Sequence, residues 1–126
     1  KQIHNPKGDI FHAMKKSDAG FNGFGEAYFS TINQKDIKGW KKHNEMTLNL
    51  VVPIGMIKFV IYNECTKDFF SVQLSHNNYQ RLTVAPNLWL AFRGIEKYNI
   101  LLNIASIEHD QNEAVNKNIE AIEYDW

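Results

Sequence analysis

Apolar and aromatic residues in this sequence gather into short runs that are separated by turn residues. The runs are rich in Val, Ile, Phe and Tyr, which favour β-strands. Seven of them predict strands: Glu26–Ser30, Thr47–Val52, Met56–Tyr62, Phe69–Leu74, Arg81–Ala85, Leu88–Phe92 and Tyr98–Ile107. The spacing of these runs is typical of an antiparallel sandwich or barrel, so we expect one all-β domain over residues 1–126.

Two short polar or glycine-containing stretches and the tail complete the pattern. Pro53-Ile54-Gly55 predicts a tight hairpin, and Ser75-His76-Asn77-Asn78 predicts a turn. The tail from Asn112 to Ile122 has a loose helical spacing, with Asp110 as a candidate cap. The tail is therefore either a short helix or an irregular segment that covers a sheet edge.

Charge and cysteine content limit the classes of partner. The chain has 14 Lys+Arg and 14 Asp+Glu, so no net positive charge attracts nucleic acid or an anionic membrane. A local basic site for one small anionic ligand stays open. Cys65 is the only cysteine, which excludes an internal disulfide and suits a reducing compartment. The longest apolar stretch, Val51–Tyr62, is interrupted and too short to span a bilayer, so we expect a cytoplasmic protein.

Three segments carry a resemblance to a known family. They are Lys38-Gly39-Trp40-Lys41-Lys42-His43 running on to Pro53-Ile54-Gly55, then Leu74–Pro86, then Trp89-Leu90-Ala91-Phe92 with Leu101–Ala105 and His109-Asp110. In this order they resemble the dTDP-4-dehydrorhamnose 3,5-epimerase family of nucleotide-sugar enzymes. The chain is most similar to a shorter branch, in which Lys-Gly-Trp-Lys replaces Arg-Gly-Leu-His.

This resemblance implies a fold, a ligand and a reaction. The fold is the cupin (double-stranded β-helix, or jelly-roll) barrel, assembled as a homodimer. The ligand is a nucleotide-diphosphate sugar, dTDP-linked or similar, used in surface polysaccharide or lipopolysaccharide synthesis. The reaction removes a proton from the carbon next to a ketone and returns it on the opposite face, with no redox cofactor and no metal.

The chain departs from the family at three positions that carry the chemistry. Aligned on Gly39, the family's base histidine is replaced by Lys41. Ser106 stands where the family has an aspartate that orients the base, and Leu90 stands where it has a second histidine. The family's third catalytic group, a tyrosine acid, has no position that the sequence assigns.

His43 is the nearest replacement for the missing base. On a strand, Lys41, His43 and Glu45 project from one face because side chains alternate. If that face points into the barrel, we expect His43 to act as the base, Lys41 to stabilise the enolate and Glu45 to supply a carboxylate. The alternative is that this row is the solvated face of a strand.

Five further residues are candidates for substrate binding. Lys38 matches the family arginine that contacts the diphosphate, and Arg93 is a second phosphate candidate. Tyr28 lies on an early strand, where the family contacts the nucleotide. Trp89 can stack on a ligand or pack the barrel, and Asn49 belongs to the first matching segment.

Two other functions stay open at this point. The loss of the family's histidines and aspartate is what a degenerate cupin would show, one that binds a nucleotide sugar or saccharide without turnover. A sugar 3,4-ketoisomerase would use the same enolate chemistry. A metal site is not predicted, because the first motif offers only two ligands, His43 and Glu45.

Overall fold

The structure, a computed structural model, describes all 126 residues. It consists of short β-strands joined by turns and loops, with one turn of 3₁₀-helix and no α-helix. The strands are β1 (Gln2–Ile3), β2 (Ile10–Phe11), β3 (Glu26–Thr31), β4 (Ile37–His43), β5 (Leu48–Ile54), β6 (Met56–Asn63), β7 (Asp68–Ser75), β8 (Leu82–Val84), β9 (Trp89–Gly94), β10 (Ile100–Ala105) and β11 (Ala114–Asn116). The 3₁₀ turn covers Ile119–Ala121.

Two antiparallel sheets form the body of the fold. One has four strands in the order β3-β10-β5-β8, and the other has five in the order β11-β4-β9-β6-β7. The two N-terminal strands, β1 and β2, pair only with each other. This arrangement is the cupin jelly roll that the sequence resemblance predicted.

The main core lies between the two sheets, because alternate residues of each strand point inward. Strand β10 shows this clearly: Leu101, Asn103 and Ala105 are buried, while the residues between them are only partly buried. The buried side chains of this core are apolar: Ile32, Met46, Leu48, Leu50, Val52, Ile57, Phe59, Ile61, Leu74, Leu82, Val84, Leu90, Leu101 and Ala105.

A second cluster covers the outer face of the five-stranded sheet. Trp40, Trp89, Val60 and Ala91 lie on that face and are covered by Ile122 of the C-terminal segment. The indole Nε1 of Trp40 donates a 3.1 Å hydrogen bond to the backbone carbonyl of Ile119. The C-terminal segment therefore packs against the back of the sheet whose inner face lines the core.

Every predicted strand is present, with ends that differ by a few residues. The predicted hairpin at Pro53-Ile54-Gly55 is wrong: β5 and β6 join there but belong to different sheets and do not pair. Gly55 has φ of +84°, which allows a sharp bend, and here the bend carries the chain across the barrel.

Of the two expectations for the tail, a short helix or an irregular segment, the structure has no α-helix there and only the 3₁₀ turn at Ile119–Ala121. Residues 114–116 form strand β11, which pairs with β4 in the register Ala114↔His43. The partner strand provides the hydrogen bonds that a helix would have made internally, so a long-range contact overrides the weak local preference. The tail does cover a sheet edge, as the alternative expectation stated.

No helix in the structure is long and apolar enough to cross a lipid bilayer. Cys65 lies exposed in the turn between β6 and β7 and forms no disulfide.

Candidate active site

A cavity of about 310 Å³ opens between the two sheets. Strands β3, β5 and β10 form one wall, and strands β4 and β9 with the end of β11 and the residue after it form the other. The residues around it combine an apolar base with polar and cationic side chains: Tyr28, Ser30, Lys38, Gly39, Trp40, Lys41, His43, Leu48, Leu50, Leu90, Phe92, Leu101, Asn103, Asn116 and Lys117.

A bulge in strand β4 sets which of its side chains face the cavity. Lys38 pairs with Phe92 and Gly39 with Ala91, but Lys41 already pairs with Leu90, so β4 has one extra residue. A strand without a bulge would place residues 38 and 41 on opposite faces. The bulge turns Lys38, Lys41 and His43 to the cavity and leaves the Trp40 indole in the outer cluster.

Gly39 is required at this bulge for two reasons. Its φ is +135°, a conformation that side chains with a Cβ rarely adopt. A Cβ at this position would also lie 2.5 Å from the Cβ of Ala91 and 2.8 Å from the carbonyl oxygen of Leu90. The glycine of the Lys-Gly-Trp-Lys motif is therefore explained by local geometry, since it lets β4 approach β9 closely.

His43 is held by a carboxylate from the far end of the sequence. Its Nδ1 hydrogen-bonds Oε1 of Glu113, which lies just before β11. The second carboxylate oxygen, Oε2, accepts the backbone N–H groups of Glu45 (3.1 Å) and Met46 (3.2 Å). Both side chains are well shielded, His43 at 11% and Glu113 at 6% exposure.

The surroundings of Glu113 keep it ionised. Burial on its own raises the pKa of this carboxyl, but the hydrogen bonds from His43 and from the Glu45 and Met46 amides outweigh burial and lower the pKa below 4.5. An ionised Glu113 accepts the Nδ1–H of His43, which fixes the ring as the Nδ1–H tautomer. The lone pair of a neutral ring is then on Nε2, where it can accept a proton.

A tyrosine and an asparagine lie on the opposite wall. Tyr28 and Ser30 face the cavity from β3, and Asn103 faces it from β10, where it pairs with Tyr28 across the strands. The Asn103 amide Nδ2 donates a 2.8 Å hydrogen bond to the Tyr28 hydroxyl oxygen. Burial raises the pKa of Tyr28, while the Asn103 hydrogen bond lowers it and the Glu26 charge raises it.

Lysines provide the positive charge of the cavity. Lys38 and Lys41 come from β4, and the Nζ of Lys38 donates a 2.7 Å hydrogen bond to the carbonyl oxygen of Thr31 at the end of β3. Lys38 therefore bridges the two walls, with two ammonium N–H groups left for a ligand.

Four of the predicted site residues do not line the cavity. Trp89 is 1% exposed in the outer cluster, and its Nε1 donates to Glu64. Arg93 alternates to the same outer face, where its guanidinium donates to the carbonyl oxygen of Trp126. Asn49 points away from the cavity and binds Gly20 and Thr83.

Glu45 is the fourth. Strand β4 ends at His43, so the side-chain alternation expected from Lys41 to Glu45 stops before Glu45, which is exposed. Only its backbone N–H contributes, through Glu113. Ser106 does not orient His43 either, because its hydroxyl accepts the backbone N–H of Thr47.

Sequence reasoning missed Glu113, Asn103 and Ser30. Glu113 lies 70 residues from His43 in a segment with a helical pattern, and no local signal marks it. Asn103 did carry a signal, since it is the one polar residue in the alternating row Leu101, Asn103, Ala105. Ser30 shares a strand face with Tyr28 by the same alternation.

No group of three or more His, Cys, Asp or Glu side chains lies close enough together to hold a metal ion.

A scan against protein-family models and a search of curated protein sequences found no match to this chain. Solved structures do match over nearly the whole chain. The dTDP sugar isomerase from Desulfovibrio desulfuricans G20 superposes with a TM-score of 0.93 at 29% identity, covering 100% of this chain and 86% of that one.

Two more distant structures have the same fold. The sugar 3,4-ketoisomerase QdtA from Thermoanaerobacterium thermosaccharolyticum, in complex with TDP, has a TM-score of 0.80 at 19% identity over 97% of this chain and 87% of that one. The dTDP-4-dehydrorhamnose 3,5-epimerase from Sulfolobus tokodaii has a TM-score of 0.86 at 15% identity over 98% and 76%. The chain is thus a cupin that resembles the dTDP-4-dehydrorhamnose 3,5-epimerase-like nucleotide-sugar enzymes, as its three sequence segments predicted.

Proposed function

We propose that this protein isomerises or epimerises a nucleotide-linked keto-deoxy sugar, dTDP-linked or similar, by removing a proton next to the ketone. The observation that carries the proposal is the pairing of His43 with the buried Glu113 at the wall of the cavity. A histidine with its Nδ1–H held by a carboxylate is the arrangement that a general base needs. The class of substrate is supported by the name of the similar dTDP sugar isomerase and by the TDP bound in the similar QdtA structure.

The first step is proton abstraction by His43. Its Nε2 takes the proton from the carbon beside the ketone, and the electron pair of the broken C–H bond moves into the enolate. The imidazolium that forms lies against the negative charge of Glu113, which stabilises it. The Lys41 ammonium, on the same face of β4, stabilises the developing charge on the enolate oxygen.

The second step returns a proton from the other wall. Tyr28 faces the cavity from the four-stranded sheet, opposite the strand that carries His43. Its phenolic O–H gives a proton to the enolate carbon, and a new C–H bond forms on the opposite face. Transfer of a proton from the imidazolium to the phenolate through solvent then restores both groups.

Lys38 is proposed to hold the diphosphate. It lies at the edge of the cavity, beside the end of β3, and its charge would attract a pyrophosphate group. The apolar base formed by Leu48, Leu50, Leu90 and Phe92 suits the less polar parts of a deoxy sugar.

The test is proton exchange in deuterated water with a panel of nucleotide-linked 4-keto sugars. We expect deuterium to enter the carbon next to the ketone at a rate that depends on enzyme concentration. A lack of exchange with every sugar of the panel, in protein shown to be folded, would overturn the proposal. Thermal stabilisation by the nucleotide sugar without exchange would favour a binding protein without turnover.

A sugar 3,4-ketoisomerase is the second candidate, because QdtA, one of the similar structures, is a sugar 3,4-ketoisomerase. The same base would remove the proton from the neighbouring carbon that bears a hydroxyl, and that hydroxyl would pass its proton to the former carbonyl oxygen. A proton would then be added to the former carbonyl carbon, so that the ketone moves along the ring. Exchange at one carbon occurs in both reactions. Identification of the product by NMR separates them, since only the ketoisomerase changes the position of the carbonyl.

A homodimer in the cytoplasm, acting in surface polysaccharide synthesis, is also part of this proposal. The resemblance supports it, and so does strand β3, which is an edge strand with an unpaired side. Phe29 on this strand is 72% exposed and Phe24 just before it is 66% exposed, which is the apolar surface an interface would cover. Light scattering after size-exclusion chromatography should give twice the monomer mass for the wild type. The Phe29→Lys variant should have a lower average mass, because part of it dissociates to monomers. A wild-type protein of monomer mass would contradict the dimer.

A further inference from the structure

Asn103 lies beside Tyr28 on the four-stranded wall and has a side chain with only one partner. It is 4% exposed, and its Nδ2 donates to the Tyr28 hydroxyl oxygen at 2.8 Å. Its Oδ1 is buried and accepts no hydrogen bond. An unpaired buried acceptor is costly and rare, so the presence of an amide at this position needs a reason. A leucine would fit the row formed by Leu101 and Ala105 without that cost.

The direction of this hydrogen bond determines what Tyr28 can do. A phenol oxygen that accepts an amide N–H keeps its own O–H free to donate elsewhere. Tyr28 lines the cavity, so a ligand there can accept this O–H. After the proton has left, the same amide N–H stabilises the phenolate, since hydrogen bonds to a charged acceptor are stronger than neutral ones.

We propose that Asn103 is a positioning residue that directs the Tyr28 hydroxyl proton into the cavity and stabilises the phenolate left by proton transfer. This rests on the proposed function, in which Tyr28 returns a proton to the enolate. In this role Asn103 acts through the Tyr28 hydroxyl.

The charged groups around Tyr28 agree with this role. Burial and the neighbouring Glu26 carboxylate both raise the pKa of Tyr28, while the Asn103 hydrogen bond lowers it. Lys38, Lys41 and His43 face the cavity from the other wall and come from a different sheet. Asn103 is the only side chain that hydrogen-bonds the Tyr28 hydroxyl.

The test compares Asn103→Leu and Asn103→Asp with the wild type. The phenolate absorbance of Tyr28, taken as the difference from Tyr28→Phe, gives its pKa directly. We expect a higher pKa in Asn103→Leu, and a still higher one in Asn103→Asp, because an aspartate accepts from the phenol and adds a negative charge. Deuterium exchange should fall about tenfold or more in Asn103→Leu, and its alkaline limb should move to higher pH with the Tyr28 pKa.

Thr83→Val is the matched control. Thr83 Oγ1 makes a 2.6 Å hydrogen bond to Asn49 on the same sheet, on the face turned away from the cavity. This variant also loses one polar contact of the four-stranded sheet, so it should leave the Tyr28 pKa and the exchange rate unchanged. Asn103→Asp keeps the shape of the side chain and serves if Asn103→Leu does not fold.

The outcomes distinguish the two proposals. An unchanged or lower Tyr28 pKa in Asn103→Leu would overturn the role of Asn103, whether or not the wild type exchanges protons. A raised pKa with no exchange in the wild type would support the hydrogen-bond direction and overturn the proposed function instead. A raised pKa together with slower exchange supports both.

Discussion

The two faces of strands β4 and β9 carry different chemistry although they alternate along the same backbone. The inner face presents Lys38, Lys41 and His43 above Leu90 and Phe92, and lines the cavity. The outer face presents Trp40, Lys42, Trp89, Ala91 and Arg93, and the C-terminal segment packs against all of these except Lys42, which pairs with Glu64 and the Trp89 ring. Cationic and aromatic residues occur on both faces, so residue type alone does not mark the site.

The polar and aromatic side chains of the outer face contact one another and stabilise the fold. The Lys42 and Lys117 ammonium groups lie 5.1 Å and 4.7 Å from the Trp89 ring centroid, and Glu64 binds both Lys42 and the Trp89 indole. The inner face leaves its Lys41 and the Nε2 of His43 without such partners. Polar groups that have no partner within the protein can bind a ligand. The inner face has such groups, whereas Lys42, Glu64 and the Trp89 indole of the outer face are paired with each other.

The largest expected effect is a loss of stability when a side chain of the outer face is removed. Trp89→Ala removes a large buried side chain and its hydrogen bond, so we expect a loss of about 3 to 5 kcal/mol in the free energy of unfolding. The exchange rate per folded molecule should change little, because Trp89 does not reach the cavity. Urea unfolding and deuterium exchange measure the two quantities separately. A specific loss of exchange in stably folded protein would place Trp89 in the site after all.

Glu113→Gln should have the next largest effect, this time on the inner face. The amide keeps the shape but loses the negative charge that fixes the His43 tautomer and stabilises its imidazolium. We expect the exchange rate to fall by about 10- to 100-fold, the size of effect found when the hydrogen-bond partner of a metal-binding histidine is removed. Glu45→Gln is the control, since its exposed side chain makes no contact with His43. Equal effects in both variants would contradict the assignment of Glu113.

A smaller effect is expected on dTDP affinity, where Lys38 on the inner face of β4 and Lys42 on its outer face should differ. Lys38→Ala should weaken dTDP binding by about tenfold, the effect of one lost charged contact, and binding should become less sensitive to salt. Lys42→Ala removes the same charge from the same strand but from the outer face, and should leave dTDP affinity nearly unchanged. Isothermal titration calorimetry at two salt concentrations measures both. Similar losses of dTDP affinity in the two variants would contradict a specific contact with Lys38 and would indicate a general effect of the protein's charge.

The smallest expected effect is the pH dependence of stability. The pKa of Glu113 is lowered in the folded state, so its contribution is present above the unfolded value of 4.5 and is lost as the pH falls through the folded value. The wild type should therefore lose more stability than Glu113→Gln between pH 6 and pH 3. Thermal melts of both proteins across that range measure the difference, and parallel curves would contradict it.

The strands were predictable because their signal is local. Alternation and β-branched content within each run mark a strand whatever it pairs with, and this applies to runs such as Met56–Tyr62 and Leu88–Phe92. The partner of each strand was not predictable in the same way. Pro53-Ile54-Gly55 has the composition of a hairpin turn, but the same residues also suit a bend between two sheets.

The site was only partly predictable, because alternation shows which residues share a face but not which face is inside. Lys41 and His43 were placed together correctly, and Tyr28 and Lys38 also line the cavity. Trp89 and Arg93, candidates for substrate binding, lie on the outer side of β9, and the sequence could not show this because the side depends on packing between the sheets. The bulge at Gly39 and the pairing of β11 with β4 are long-range features, and the position of Glu113 depends on the second of them.

Deuterium exchange by His43→Ala, measured against the wild type with the sugar that exchanges fastest, tests the role of the His43–Glu113 pair most directly. Loss of a general base lowers a rate by about 10² to 10⁴, so exchange should fall at least a hundredfold while dTDP binding is retained. An exchange rate within a few-fold of the wild type, in folded protein that binds dTDP, would show that another group removes the proton.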